Sequence, residues 1–215
     1  MELTKLQYIS QGVSAKEQQT NILAALDGGC NWIQLRYKNA SNEELYSLAH
    51  AMKKRCERYG ATFIINDSIE LAKDIDADGV HLGLKDESPT KARLILGNHK
   101  IIGGTANTLT DVKQRITEGC SYIGLGPYRF TSTKENLSPI LGFDGIAQIA
   151  MACKKMEKNI PIYAIGGITM EDVELLMTSG IYGIALSGEI TRSLSKKTLI
   201  NDINIKLNAK LNDCQ

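Results

Sequence analysis

The sequence has little that would commit it to a charged polymer, a membrane or a disulfide framework. Its 25 Lys and Arg stand against 24 Asp and Glu, a formal net charge of +1. Neither sign is in surplus, so nucleic acid and anionic membrane surfaces are excluded as expected partners. No apolar run approaches the roughly 18 residues of a membrane helix. The opening Met1-Glu-Leu-Thr-Lys-Leu6 lacks the basic-then-apolar order of a secretory leader. Aromatic residues make up only 6% of the chain, with one Trp and three Phe. The five cysteines (Cys30, Cys56, Cys120, Cys153 and Cys214) are odd in number, far apart and without CxxC or Cys/His spacing. That pattern argues against a zinc site or a disulfide frame and for reduced, mostly buried thiols in a cytoplasmic protein.

What is present is a regular alternation. Within 215 residues of 43% hydrophobic composition, enough for one domain with a sizeable core, short apolar β-branched runs recur along the whole length. They cover 6–10, 32–36, 62–65, 79–82, 100–103, 122–125, 161–164 and 183–186. Most are nearly continuous in apolar character, as strands covered on both faces should be. Helical segments lie between them. Ser41-Asn-Glu-Glu44 reads as a capping box for a helix through about Tyr59, ended by Gly60. Ser88-Pro89 places a cap before a first-turn proline. Thr110 and Asp111 open a helix that stops at Gly119, and Thr169 opens one that stops at Gly180. Eight strand–helix units predict parallel strands closed into a single (β/α)₈ TIM barrel over residues 1–215. Functional side chains should then lie at strand C-terminal ends and in the loops that follow.

Polar residues do fall there. After strand two, alternation points Gln34, Arg36 and Lys38 to one side. This set suits a diphosphate, though Arg and Lys also blunt any barrel rim. After strand three, Asn66-Asp67 offers an amide and a carboxylate that could hold Mg²⁺. Asp67 or Ser68 would equally serve as a helix cap. After strand four, Asp86 could be a second carboxylate of one metal site, while His81 reads as a hydrogen-bonded packing residue. After strand five, Gly103-Gly-Thr105 would let backbone approach a ligand or simply turn, with the Thr105 hydroxyl reading a heterocycle edge.

The stretch Gly124-Leu-Gly-Pro-Tyr-Arg-Phe-Thr-Ser-Thr-Lys134 is the most informative. Thr131, Ser132 and Thr133 followed by Lys134 make an anion-gripping loop. The aperiodic residues 135–142 make this a long connection able to close over substrate. Ile165-Gly-Gly-Ile-Thr169 and Ser187-Gly188 supply glycine-rich turns after strands seven and eight, the recurrent phosphate site of such barrels. A cationic, metal-assisted anion site and a neutral one on the same face fit an enzyme that joins two phosphorylated substrates.

Together these motifs, with His81-Leu-Gly83, resemble the thiamine phosphate synthase family along nearly the whole chain. The resemblance implies Mg²⁺-dependent joining of a hydroxymethylpyrimidine diphosphate to a thiazole phosphate, with release of diphosphate. It implies that Gln34, Leu35, Arg36, Tyr37, Lys38, Asn66, Thr105 and Lys134 bind the pyrimidine diphosphate. Arg36, Lys38 and Lys134 would be catalytic and Asp67 and Asp86 would hold the metal. Thr131, Ser132, Thr133, Gly167, Ser187 and Gly188 would bind the thiazole phosphate. The chain departs from the family's usual pattern at Leu84, at Thr105 in place of Ser, and at Tyr128-Arg-Phe130. The alternatives are a thiazole tautomerase-like enzyme, another phosphosugar barrel or a non-catalytic barrel that captures thiazole phosphate. A homodimer is compatible with the sequence but not written in it.

Overall fold

The computed structural model describes residues 3–131, 138–156 and 160–209. Eight strands, all parallel, pair in chain order, and the eighth pairs back with the first to close a barrel. They are β1 Leu6–Ile9, β2 Trp32–Leu35, β3 Thr62–Asn66, β4 Gly79–Leu82, β5 Ile101–Ala106, β6 Tyr122–Leu125, β7 Ile162–Ile165 and β8 Gly183–Leu186. The crossovers carry α1 Ala15–Asp27, α2 Asn42–Arg58, α3 Ile69–Asp74, α4 Pro89–Leu96, α5 Leu109–Thr117, α6 Gly142–Lys154 and α7 Val173–Thr178. The short α8 Gly188–Arg192 and the longer α9 Lys196–Asn208 follow β8. No helix among the described residues is long and apolar enough to cross a membrane.

Local chemistry sets most helix starts. Ser41 and Glu44 form the reciprocal capping box of α2, and Ser88 caps α4 ahead of Pro89. One expected cap moves: Thr108, not Thr110, opens α5, with Asp111 answering from three residues on. Of the two candidates for α3, Ser68 is the cap, which leaves the Asp67 carboxylate free of any capping duty. Strand β5 also runs three residues beyond its expected end, because its two glycines are strand residues making room for neighbours. A Cβ on Gly103 would lie 2.2 Å from the Tyr122 ring, and one on Gly104 would lie 2.6 Å from the Arg115 side chain. Both glycines lie within the strand, so neither forms the turn that the sequence had offered as an alternative.

Alternation divides each strand between two environments. Ile33, Leu35, Phe63, Ile65, Val80 and Leu82 pack outward into the layer under the helices. Trp32, Ile64, Tyr122 and Tyr163 form a separate cluster inside the barrel. Three rings meet there: Trp32 packs edge-on against Tyr122 and Tyr163 at centroid distances of 4.8 and 5.0 Å. This geometry matches the preferred quadrupole arrangement of rings and plugs the lower barrel. Cys30, Cys56, Cys120 and Cys153 are buried and unpaired. Burial pushes the Cys30 thiol up to about 11, so it behaves as a small apolar side chain. Cys214 lies outside the described residues. The tight fit at Gly103 gives a direct check: Gly103→Ala should destabilise the fold by about 2 kcal/mol in urea unfolding, the scale for overpacking against a rigid ring. An unchanged midpoint would show that the plug is loosely packed.

Candidate active site

Above the aromatic plug the inward side chains become polar. Gln34 on β2 donates from Nε2 to Asn66 Oδ1 on β3 at 2.7 Å. Gln34 is 2% exposed, and its Oε1 is buried without a partner among the described residues. An acceptor left without a donor inside a site is costly and suits a ligand N–H. Arg36 is held by its backbone: its N–H donates to Ser10 Oγ at 3.0 Å, and its carbonyl accepts from Gln18 Nε2 at 3.1 Å. Ser10 and Gln18 are each 1% exposed. The strand-two segment therefore departs from the sheet on a fixed path. Leu35 packs outward into the helix layer, and the half-buried Tyr37 packs against that layer.

Asp67 follows β3 at φ 67°, a left-handed conformation that Asp and Asn tolerate better than most residues. Its N–H donates to the His81 carbonyl at 2.9 Å, which ties it to the end of β4. Asp86 comes from the next loop, where its Oδ2 accepts from the Gly83 N–H at 2.6 Å. A Cβ on Gly83 would lie 2.7 Å from that oxygen, so glycine permits the clasp. The two carboxyl groups meet. Burial, then the hydrogen bond and charge of Asp86, push the Asp67 carboxyl up to about 6 despite the opposing charges of Lys38 and Arg36. The sequence-predicted Arg36, Lys38, Asp67 and Asp86 thus share one electrostatic neighbourhood.

Among the described residues no group of three or more His, Cys, Asp or Glu gathers around a metal position. A two-carboxylate donor set does not suit a zinc centre, but it does suit Mg²⁺, which takes one or two carboxylates and completes its shell with water and substrate phosphate. Like charges placed in contact also call for a cation or a shared proton.

Three features of the site were missed in the sequence. Buried Arg115, 4% exposed, donates from Nε to the Thr105 carbonyl at 3.1 Å and from Nη2 to the Gly83 carbonyl at 3.3 Å. One guanidinium on α5 so braces the end of β5 and the loop that carries Asp86. His81 is the hydrogen-bonded packing residue that the sequence suggested, but its Nε2 partner, Thr105 Oγ1 at 3.0 Å, was not foreseen. The third is the anchoring of the loop after β6. Tyr128 and Arg129 donate their N–H groups to the Ile165 and Gly166 carbonyls at 2.8 and 2.9 Å. Arg129 grips Asp172 with both Nη atoms at 2.8 and 2.7 Å, stacks over the Tyr128 ring at 4.8 Å and reaches the Gly167 carbonyl at 3.0 Å. The departure at Tyr128-Arg-Phe130 is therefore a clamp onto the turn after β7. The expected closing loop starts from a fixed base.

Gly166 and Gly167 adopt φ values of 96° and 67°. A Cβ on Gly167 would lie 2.7 Å from the Phe130 carbonyl oxygen, so this turn must stay glycine to accept the β6 loop. Glu189 Oε1 accepts from the Met170 N–H at 3.2 Å and joins the turn to α8, where Ser187 and Gly188 sit. Thr131 directly follows the clamped segment. Ser132, Thr133 and Lys134 lie outside the described residues.

The fold and this rim define a (β/α)₈ barrel with an acidic pair set beside cations and glycine turns after its last two strands. Residues 7–190 match the family model described as thiamine monophosphate synthase. The chain is 55% identical to thiamine-phosphate synthase of Flavobacterium johnsoniae over 207 residues, covering 96% of this chain and 98% of that one. It is 49% identical to the protein of that name from Phocaeicola vulgatus, covering 88% and 91%. Its structure superposes on thiamine phosphate pyrophosphorylase from Pyrococcus furiosus with a TM-score of 0.81 and 26% identity, covering 94% and 95%. The chain belongs to the thiamine monophosphate synthase family.

The raised Asp67 carboxyl sets a pH signature. Its folded value near 6 lies above the ordinary value of about 4. The bound proton therefore favours the fold fully below about pH 4, and that contribution is lost as pH rises through about 6. In EDTA, wild-type melting temperature should fall across this window relative to Asp67→Asn, which keeps the turn but carries no titrating group. Parallel curves for the two proteins would mean that the fold does not hold the Asp67 carboxyl above its ordinary range.

Proposed function

We propose that the chain is a transferase that joins a hydroxymethylpyrimidine diphosphate to a thiazole phosphate, giving thiamine phosphate and diphosphate. The observation that carries this reading is the contact of Asp67 with Asp86 beside Arg36 and Lys38. Such a group is suited to a highly charged leaving anion. The bond from the exocyclic methylene carbon to the diphosphate oxygen breaks, its electron pair leaves with the diphosphate, and the thiazole nitrogen forms the new bond to that carbon. No side-chain nucleophile or strong base is required.

Mg²⁺ held by Asp67 and Asp86 would neutralise charge on the departing diphosphate. Arg36 and Lys38 stabilise the same anion from the protein side, Arg36 through its planar fork and Lys38 as a mobile point charge. Lys134 would join them from the loop after β6. Gln34, Asn66 and Thr105 orient the pyrimidine through hydrogen bonds. The thiazole phosphate takes the glycine turn at Gly167, the Ser187-Gly188 corner and the hydroxyls of Thr131, Ser132 and Thr133. Anchoring each substrate by its own phosphate makes the attack effectively intramolecular. The substrates are small phosphorylated heterocycles, and the reaction belongs to the cytoplasm.

Supplying both heterocycles with Mg²⁺ should yield thiamine phosphate and diphosphate in equal amounts. Binding of thiazole phosphate without product would instead mark a capture protein. Lys134→Ala should lower turnover by at least about 100-fold, the scale for removing one charge-stabilising donor. A near-wild-type rate would remove Lys134 from the mechanism. Calorimetric titration with Mg²⁺ and inorganic diphosphate should show binding to wild type that is weakened at least about tenfold in Asp67→Asn. Superimposable isotherms would rule out Asp67 as a ligand.

A further inference from the structure

A line of polar groups crosses the barrel between the aromatic plug and the mouth. Gln7 on β1 donates from Nε2 to Tyr122 Oη on β6 at 3.1 Å. Tyr122 Oη meets His81 Nδ1 at 2.8 Å, and His81 Nε2 meets Thr105 Oγ1 at 3.0 Å. Gln7, Tyr122 and His81 are 1%, 0% and 6% exposed, whereas Thr105 is only half-buried. Gly124 faces the imidazole, and a Cβ there would stand 3.2 Å from its Cε1. Thr105 is therefore the end of the line that reaches a ligand.

The line has a direction. A phenol has one proton to give, and burial raises the Tyr122 hydroxyl well above its ordinary value, so the proton stays. Since the Gln7 amide donates to that oxygen, the hydroxyl proton is left for His81 Nδ1. An imidazole that accepts at Nδ1 carries its proton on Nε2. That N–H then occupies a lone pair of Thr105 Oγ1 and turns the hydroxyl proton away from the imidazole.

We infer that Tyr122 and His81 are positioning residues that fix Thr105 as a hydrogen-bond donor to an acceptor atom, such as a ring nitrogen, of the bound heterocycle. Assigning that acceptor to the pyrimidine rests on the proposed reaction, whereas the direction of the line does not. The hydroxyl at position 105 is thus more than a replacement for Ser: its polarity is imposed from two layers below.

The chain has three histidines, and His50 and His99 are exposed. A His50→Gln/His99→Gln variant therefore leaves His81 as the sole imidazole for nitrogen-15 spectroscopy of the unliganded protein. At neutral pH the spectrum should show a protonated Nε2 and an unprotonated Nδ1 with the shift of a hydrogen-bond acceptor. Tyr122→Phe in that background should lose the acceptor shift. A spectrum of the Nδ1–H tautomer or of the imidazolium in the unsubstituted Tyr122 background overturns the inference. So does a signal unchanged by Tyr122→Phe.

In steady-state assays Tyr122→Phe should raise the KM for the pyrimidine diphosphate by about threefold to tenfold, the scale of one weakened neutral hydrogen bond. The KM for the thiazole phosphate should stay unchanged. Equal rises in both constants, or none, refute the role at Thr105. If wild type forms no thiamine phosphate, the reaction assignment fails while the spectroscopic result still decides the direction of the line.

Discussion

Tyr122 is where the core of this barrel turns into its site. Its ring packs edge-on against Trp32 and Tyr163, and its hydroxyl holds Gln7 and His81. One side chain so fixes both the height of the aromatic plug and the lower boundary of the polar ring above it. The ring fits only because Gly103 leaves it space. Everything at the mouth is built on that floor.

Above it, rigidity comes from buried polar groups rather than from further apolar packing. Ser10 and Gln18 hold the backbone of Arg36, and Arg115 braces Thr105 and Gly83 from the helix layer. The Arg129–Asp172 pair does the same for the glycine turn after β7. Each anchors main chain at the point where a strand gives way to a loop. Charged groups can then be held at close quarters without relying on loop stiffness. The Asp67 and Asp86 carboxyls stay close because the backbone at Asp67 and at Gly83 is hydrogen-bonded in place.

The barrel was legible in the sequence because apolar β-branched runs alternate with capped helical segments along the whole chain, and the pairs Ser41/Glu44 and Ser88/Pro89 act through neighbours in the chain. The candidate rim was legible for a related reason: parallel barrels put functional residues just past strand ends, so Gln34, Arg36, Asn66, Asp67 and Asp86 could be named from position. Contacts distant in sequence were not. Gln7 and Tyr122 are 115 residues apart, and nothing local marks Arg115 as a brace instead of a solvated helix residue. Gly103 and Gly104 misled because a Gly-Gly pair looks the same whether it turns the chain or admits a neighbour's side chain. His81 was set aside because its partners lie on other strands.

The backward-bending backbone at Asp67 has a consequence for how the family can vary. A φ of 67° admits Gly, Asn and Asp readily and penalises bulkier residues, whatever the position is asked to bind. The corner would therefore survive a change to Asn, an uncharged amide of nearly the same shape. A single-nucleotide change between Asp and Asn codons would leave an intact barrel with one carboxylate fewer at its mouth. Architecture and chemistry can part company here in one mutational step, so a descendant could keep the shape long after giving up the reaction.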